Sequence, residues 1–269
     1  MTRRLRSAIA VATLTLLLGG CATRTDALVE RRLDSLLPAD AILLGEQHDA
    51  DAHRDVQRAF VRALSERGQL AALVLEMADR GRSTAALARD ASPAQVQASL
   101  HWDDAGWPWA RYAPVVMAAV RKGVPVLGGN LPRAELRQRM NEPALDQHLD
   151  GPALARQREA IRIGHCDLLP AARLMPMVRV QLARDASMAA TVMDARISGK
   201  TVLLVAGNGH VLREIGIPTH LPKNLRVRTV QAVAGSASSA ESGDADMLWL
   251  TAPLPPRDHC AELRKQFGR

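Results

Sequence analysis

Four short stretches of this chain set acids or imidazoles among glycines and amides. They are Gly45-Glu46-Gln47-His48, the Glu76 of Leu73-Val74-Leu75-Glu76-Met77, Gly128-Gly129-Asn130, and Gly207-Asn208-Gly209-His210. Glu and His serve as first-shell ligands of zinc or manganese, and both act as general bases. Taken singly, each is as well explained as a helix cap or a satisfied surface side chain. Together, Glu46, His48, Glu76 and His210 form a candidate metal or catalytic cluster. His53, one helical turn from Gln57, is placed to line the same site. His48 and His53 are five residues apart, not the four that a zinc-protease helix needs. The chain carries no nucleophile-elbow serine, phosphate-binding loop or dinucleotide fingerprint.

Each stretch follows or closes a short apolar run. The runs lie at 41–45, 73–77, 124–130 and 201–207. Continuous apolar runs without alternation mark strands buried on both faces, as in parallel sheets. Arg226 to Val233 alternates and reads as a fifth strand nearer an edge, with Met247 to Leu250 as a sixth. Helical patterns separate the runs. Residues 51–66 place Val56, Phe60, Ala63 and Leu64 on one face, with Asp49 or Asp51 as cap and Gly68 as stop. Ser92-Pro93-Ala94-Gln95 starts another helix with a capping box, and 111–122 reads as a third. Strand and helix in alternation predict an α/β fold with a mostly parallel sheet flanked by helices. Residues 131–197 contain no strand-like run and predict a smaller helical lobe. In such sheets ligands gather at the carboxyl ends of the strands, where the four stretches lie.

The composition is that of a globular chain of 269 residues, with 47% hydrophobic and 23% charged residues. Aromatics are 3%, so the core is aliphatic. The formal charge is +7. Part of it sits in Arg3, Arg4 and Arg6, which precede the short apolar run Ala8 to Leu18 and mark residues 1–20 as a secretory leader. No basic stripe interleaves with aromatics, which argues against a nucleic-acid partner. Leu18-Gly19-Gly20-Cys21 has the pattern of a bacterial lipobox, with Cys21 as the lipidated residue. Ala22 after it favours the outer membrane. Residues 21–36 then read as a tether, 37–233 as the domain, and 234–269 as a flexible loop and C-terminal tail. Cys166 and Cys260 are the pair left in an exported chain, which predicts a disulfide.

The residues at the strand ends resemble the ChaN-type haem-binding uptake lipoproteins of the Tiki superfamily. The resemblance rests on Gly45-Glu46-Gln47-His48 with His53 and Gln57, Leu75-Glu76-Met77, Gly129-Asn130-Leu131-Pro132-Arg133, Gly164-His165-Cys166-Asp167 with Leu169-Pro170, Ala183 to Ala189, and Gly207-Asn208-Gly209-His210. It implies a parallel-sheet domain with a smaller helical lobe, lipid-anchored on the periplasmic side of the outer membrane. It implies a binding protein more than an enzyme, with haem or a small iron complex as ligand for uptake. It also implies ligation through Tyr at a homodimer interface. Tyr112 is the one tyrosine, and Tyr112, His48, His53 and His210 are the candidate haem contacts. An alternative place for Tyr112 is in packing with Trp107 and Trp109. The superfamily's hydrolases suggest a second function, a divalent-metal hydrolase using Glu46, His48 and His210.

Overall fold

A computed structural model of the chain describes residues 24–236 and 245–266. The leader, the lipobox and Cys21 lie outside the described residues.

The apolar runs are the strands of one six-stranded sheet. They are β1 (Ala41–Glu46), β2 (Leu70–Asp79), β3 (Val126–Asn130), β4 (Thr201–Gly207), β5 (Val227–Ala234) and β6 (Met247–Thr251). The spatial order is β3-β2-β4-β1-β5-β6, and every pairing is parallel. All six residues of β1 and all seven of β4 are buried, because helices cover both faces. β5 therefore lies inside the sheet, and β6 takes the edge beyond it.

Successive side chains of a strand point to opposite faces, and the core divides accordingly. Ile42 and Leu44 of β1 pack on one face with Phe60 and Leu64 of α2 (Asp51–Glu66), Val96 of α3 (Pro93–Ser99) and Val116 of α4 (Trp109–Arg121). Ala41 and Leu43 pack on the other, against Met188, Ala189 and Val192 of α7 (Ala171–Asp194). A third cluster joins Ile161 of α6 (Gly151–Gly164) to Val178 and Leu182 of α7, with Leu149, Leu212 and Ile215. With the short helix α5 (Leu136–Met140) it forms the helical lobe. One half of α7 thus covers the sheet, while the other builds the lobe.

Local signals act as their chemistry dictates at several points. Ser92 makes the reciprocal capping box with Gln95. Gly68 ends α2 at φ +67, a conformation that favours glycine. The α2 start differs from expectation. Its N-cap is Ala50, with no side-chain cap, and Asp51 instead pairs with Arg111 of α4 at 2.7 Å.

The expected tether is a second departure. Residues 24–33 form a helix, α1, and Val29, Leu33 and Leu36 are buried in the main core. Those three positions fall at near-helical spacing on one face, and the charges around them occupy the other. Arg67 binds Asp34 at 2.6 Å and also meets Glu30, so the outer face is tied down as well. The C-terminal segment is likewise more than a tail. β6 completes the sheet, and α8 (His259–Gln266) is held to the turn after α6 by the Cys166–Cys260 disulfide, with Cα atoms 5.6 Å apart.

Candidate functional site

The carboxyl ends of β1 and β4 finish level. Glu46 is in register with Gly207, and Leu75 with Val205. Glu46, Glu76 and the turn holding His210 therefore arrive at one edge of the sheet. Strand alternation then separates them. Glu46 follows Ile42 and Leu44 in phase and turns toward α2 and α4. Glu76 follows Val74, which packs in the α7-side core, and turns toward α7. Two polar networks result, one on each side of the sheet's edge.

The first network centres on Glu46, which is 2% exposed. The Tyr112 hydroxyl donates to Glu46 Oε1 at 2.8 Å, and the Gln57 amide donates to Oε2. Arg54 Nη2 donates to the Tyr112 oxygen at 2.7 Å and stands 3.3 Å from Glu46 Oε1. Arg54 further donates to the Ala50 carbonyl at 2.8 Å and to that of His48. A buried guanidinium is thereby paired and hydrogen-bonded, as burial of a charge requires.

The second network centres on Glu76 and His210. Gly207 N–H donates to Glu76 Oε2 at 2.7 Å. His210 sits between two carboxylates, its Nδ1 2.6 Å from Asp185 Oδ1 and its Nε2 3.4 Å from Glu76 Oε1. Arg184 approaches Glu76 at 4.0 Å. Burial opposes charge on His210, but Glu76 and Asp185 outweigh it and raise its pKa, so the ring is held as imidazolium. Burial also acts on Glu76, yet His210, His48 and the Gly207 N–H hold its carboxyl below the usual range. Asp185 goes the other way, pushed up to about 6 by burial and by the charge of Glu76. Both ring nitrogens of His210 are therefore committed.

His48 lies over the edge between the networks. Its Nδ1 is 2.7 Å from Glu46 Oε1, and its side chain is 42% exposed. Trp107 meets the ring edge-on with centroids 4.8 Å apart. Partial burial lowers its pKa, but the hydrogen bond to Glu46 and the charge of Glu76 raise it further. Nε2 has no hydrogen bond among the described residues and lies over Gly207. A Cβ at 207 would come within 2.9 Å of it, so glycine makes the cradle for this ring. His48 also faces two cavities. One of about 260 Å³ is shared with Gln157, Ile161 and His210; the other, of about 440 Å³, with Asp49, Arg257 and His259.

Of the other candidates, His53 is set apart from the edge, and Tyr112 belongs to the Glu46 network but is enclosed. His53 is fully buried. Its Nδ1 accepts the Gln47 N–H at 3.0 Å, and its Nε2 is 3.1 Å from the Thr251 hydroxyl. Burial lowers its pKa to about 4, so it is a neutral ring joining α2 to β6. Tyr112 is 2% exposed and packs among Trp102, Trp107 and Arg54. Burial first, and then the charge of Glu46, push its pKa far above the ordinary phenol value. A phenolate ligand here would have to leave Glu46 and Arg54 and emerge from between Trp102 and Trp107. For a metal ion, no group of three or more His, Cys, Asp or Glu side chains among the described residues is arranged to hold one.

Sequence reasoning gave no role to Arg54, and it marked Arg184 and Asp185 only as part of the resembling stretch Ala183 to Ala189, without a place in the site. Arg54 adjoins the apolar face of α2, and that position was its one signal. For Asp185 the resembling stretch was the signal, and its pairing with His210 was hidden because the two lie on different elements.

A parallel sheet with paired acid and imidazole networks at its carboxyl edge defines the class of protein. Residues 32–221 match the family described as haem-binding uptake, Tiki superfamily, ChaN, and the chain belongs to that family. Among solved structures it is similar to ChaN of Campylobacter jejuni, described with cofacial haem binding. That match has 26% identity and a TM-score of 0.68, covering 81% of this chain and 89% of the other. The type III effector HopBA1 matches at 13% identity and a TM-score of 0.47, covering 80% and 88% of the two chains. No curated protein sequence matches the chain.

Proposed function

We propose that this chain binds haem at the carboxyl edge of its sheet, for haem or iron uptake, while a lipid on Cys21 holds it to the periplasmic side of the outer membrane. The ChaN-family match over residues 32–221 carries the reading, and the C. jejuni relative's haem binding supports it. The residues present fit the group. A histidine whose Nδ1 is fixed by a carboxylate and whose Nε2 is free is the usual form of a haem or metal ligand. His48 has that form and is half-exposed beside two cavities. The bound iron would supply a Lewis-acidic centre whose properties follow its axial ligand. Glu46 orients the ring, Trp107 backs it, and Gly207 leaves it room.

Titration of the full chain in detergent micelles with haemin tests this. The wild type should give a saturable Soret shift, and His48→Ala should lose most of it. An unchanged titration in the variant would remove His48 from the site. Absence of any saturable shift in the wild type would overturn the haem reading.

The anchor is tested separately. The lipobox Leu18-Gly19-Gly20-Cys21 motivates it, and no helix among the described residues is long and apolar enough to cross a membrane. Several acyl chains hold a protein stably, since each buried methylene contributes ~0.8 kcal/mol. Cys21→Ser should abolish lipid labelling and move the protein out of the membrane fraction. Labelling that survives the substitution would rule the anchor out.

A further inference from the structure

We infer that the cavity between α6, α7 and the turn after β4 is a carboxylate subsite, in which Gln157 and Gln181 receive one propionate of a haem bound at His48. The inference rests on the haem reading above and adds two residues that His48 ligation alone does not require. The cavity, of about 260 Å³, is lined by both glutamines together with His48 and His210. It is smaller than the roughly 300–1,000 Å³ that encloses a whole drug-sized ligand. It therefore admits a side group, while the macrocycle stays outside at His48 with one face open.

Two amides without partners single the cavity out. Gln157 of α6 is 7% exposed, and its side chain makes no hydrogen bond among the described residues. Gln181 of α7 has its Oε1 buried with no partner. A buried polar group left unpaired costs stability, and a ligand atom in the cavity removes that cost. Packing holds both in place. Ile161, one turn on from Gln157, and Leu182, next to Gln181, belong to one apolar cluster. The rest of the lining selects an anion. Among the described residues, no Asp, Glu, Lys or Arg lines the cavity. Glu76 and Asp185 are engaged with the His210 ring, and the charge they hold on it borders the cavity. A glutamine amide has two N–H donors, and donors beside an imidazolium suit a carboxylate. Propionates are the polar groups at the rim of haem. Ile161, Leu212 and Ile215 offer apolar contact to the methylenes that carry one.

Haemin and its dimethyl ester share the macrocycle and iron, but the ester's side groups carry no charge. Titration of each into the full chain in detergent micelles reads the subsite. The ratio of the two affinities, haemin over ester, is compared between wild type and variants, which cancels the partition of each ligand into micelles. The wild-type ratio should exceed that of Gln157→Leu/Gln181→Leu by about ten- to a hundredfold, the weight of one or two hydrogen bonds to a charged group. Gln157→Glu, nearly isosteric, sets a like charge against the propionate and should lower the ratio as well. The ester should bind wild type and variants alike. A ratio equal in wild type and variants overturns the subsite while leaving haem binding intact. A wild type that takes up neither ligand overturns both.

Discussion

Glu76→Gln should lower stability by about 3–5 kcal/mol, the usual cost of breaking a buried ion pair by removing one partner. Glu76 is 2% exposed and serves the Gly207 N–H, His210 and Arg184 at once. The amide can keep the Gly207 bond through its oxygen, but it cannot offset two cations. Asp185 alone would then face His210 and Arg184. The pH dependence has a definite sign. Because the folded-state pKa of Glu76 is depressed, its contribution is fully present above the unfolded value of ~4.3. It is lost as pH falls through the folded value. The gap between wild type and variant should therefore be full at pH 6 and close on acidification. Urea unfolding at pH 6 and again well below the unfolded value of ~4.3 measures it, as a shift in midpoint at constant slope. A gap independent of pH would mean that the variant acts by packing and not by charge.

That network also shows what a sequence can and cannot disclose. The strands were legible because a sheet covered on both faces makes each strand a continuous apolar run: the runs at 41–45, 73–77 and 201–207 lie in strands, and the run at 124–130 enters its strand at Val126. The edge at which Glu46 and Glu76 emerge followed from the same runs. Which face each takes did not, since that depends on where strand alternation stands when each chain leaves the sheet. Glu46 shares a face with Leu44, and Glu76 with Val74. The pairing of Asp185 with His210 was not legible because the two are 25 residues apart and on different elements. His53 looked like a site residue from its spacing to Gln57. It is buried because α2 turns that face under β6, to Thr251. Residues 24–33 read as a tether because their charges outnumber the apolar positions that α1 buries.

Loss of the Cys166–Cys260 disulfide should cost about 2–4 kcal/mol, the second large effect. The bond closes a chain segment with a sequence separation of 94. In the chain-entropy account a loop of that order restrains the unfolded state by up to ~4.7 kcal/mol. The folded state takes back part of this. The segment between β6 and α8 is mostly exposed, so once the bond is gone the native protein also gains freedom there. Strands β4, β5 and β6 lie inside the loop and remain held by the sheet, so the protein should still unfold cooperatively from a destabilised native state. Urea midpoints with and without a phosphine reductant, and for Cys166→Ser/Cys260→Ser, should agree with one another. A midpoint unmoved by either treatment would mean that the freed tail offsets the whole restraint. The disulfide would then act only on the placement of α8, and not on the stability of the fold.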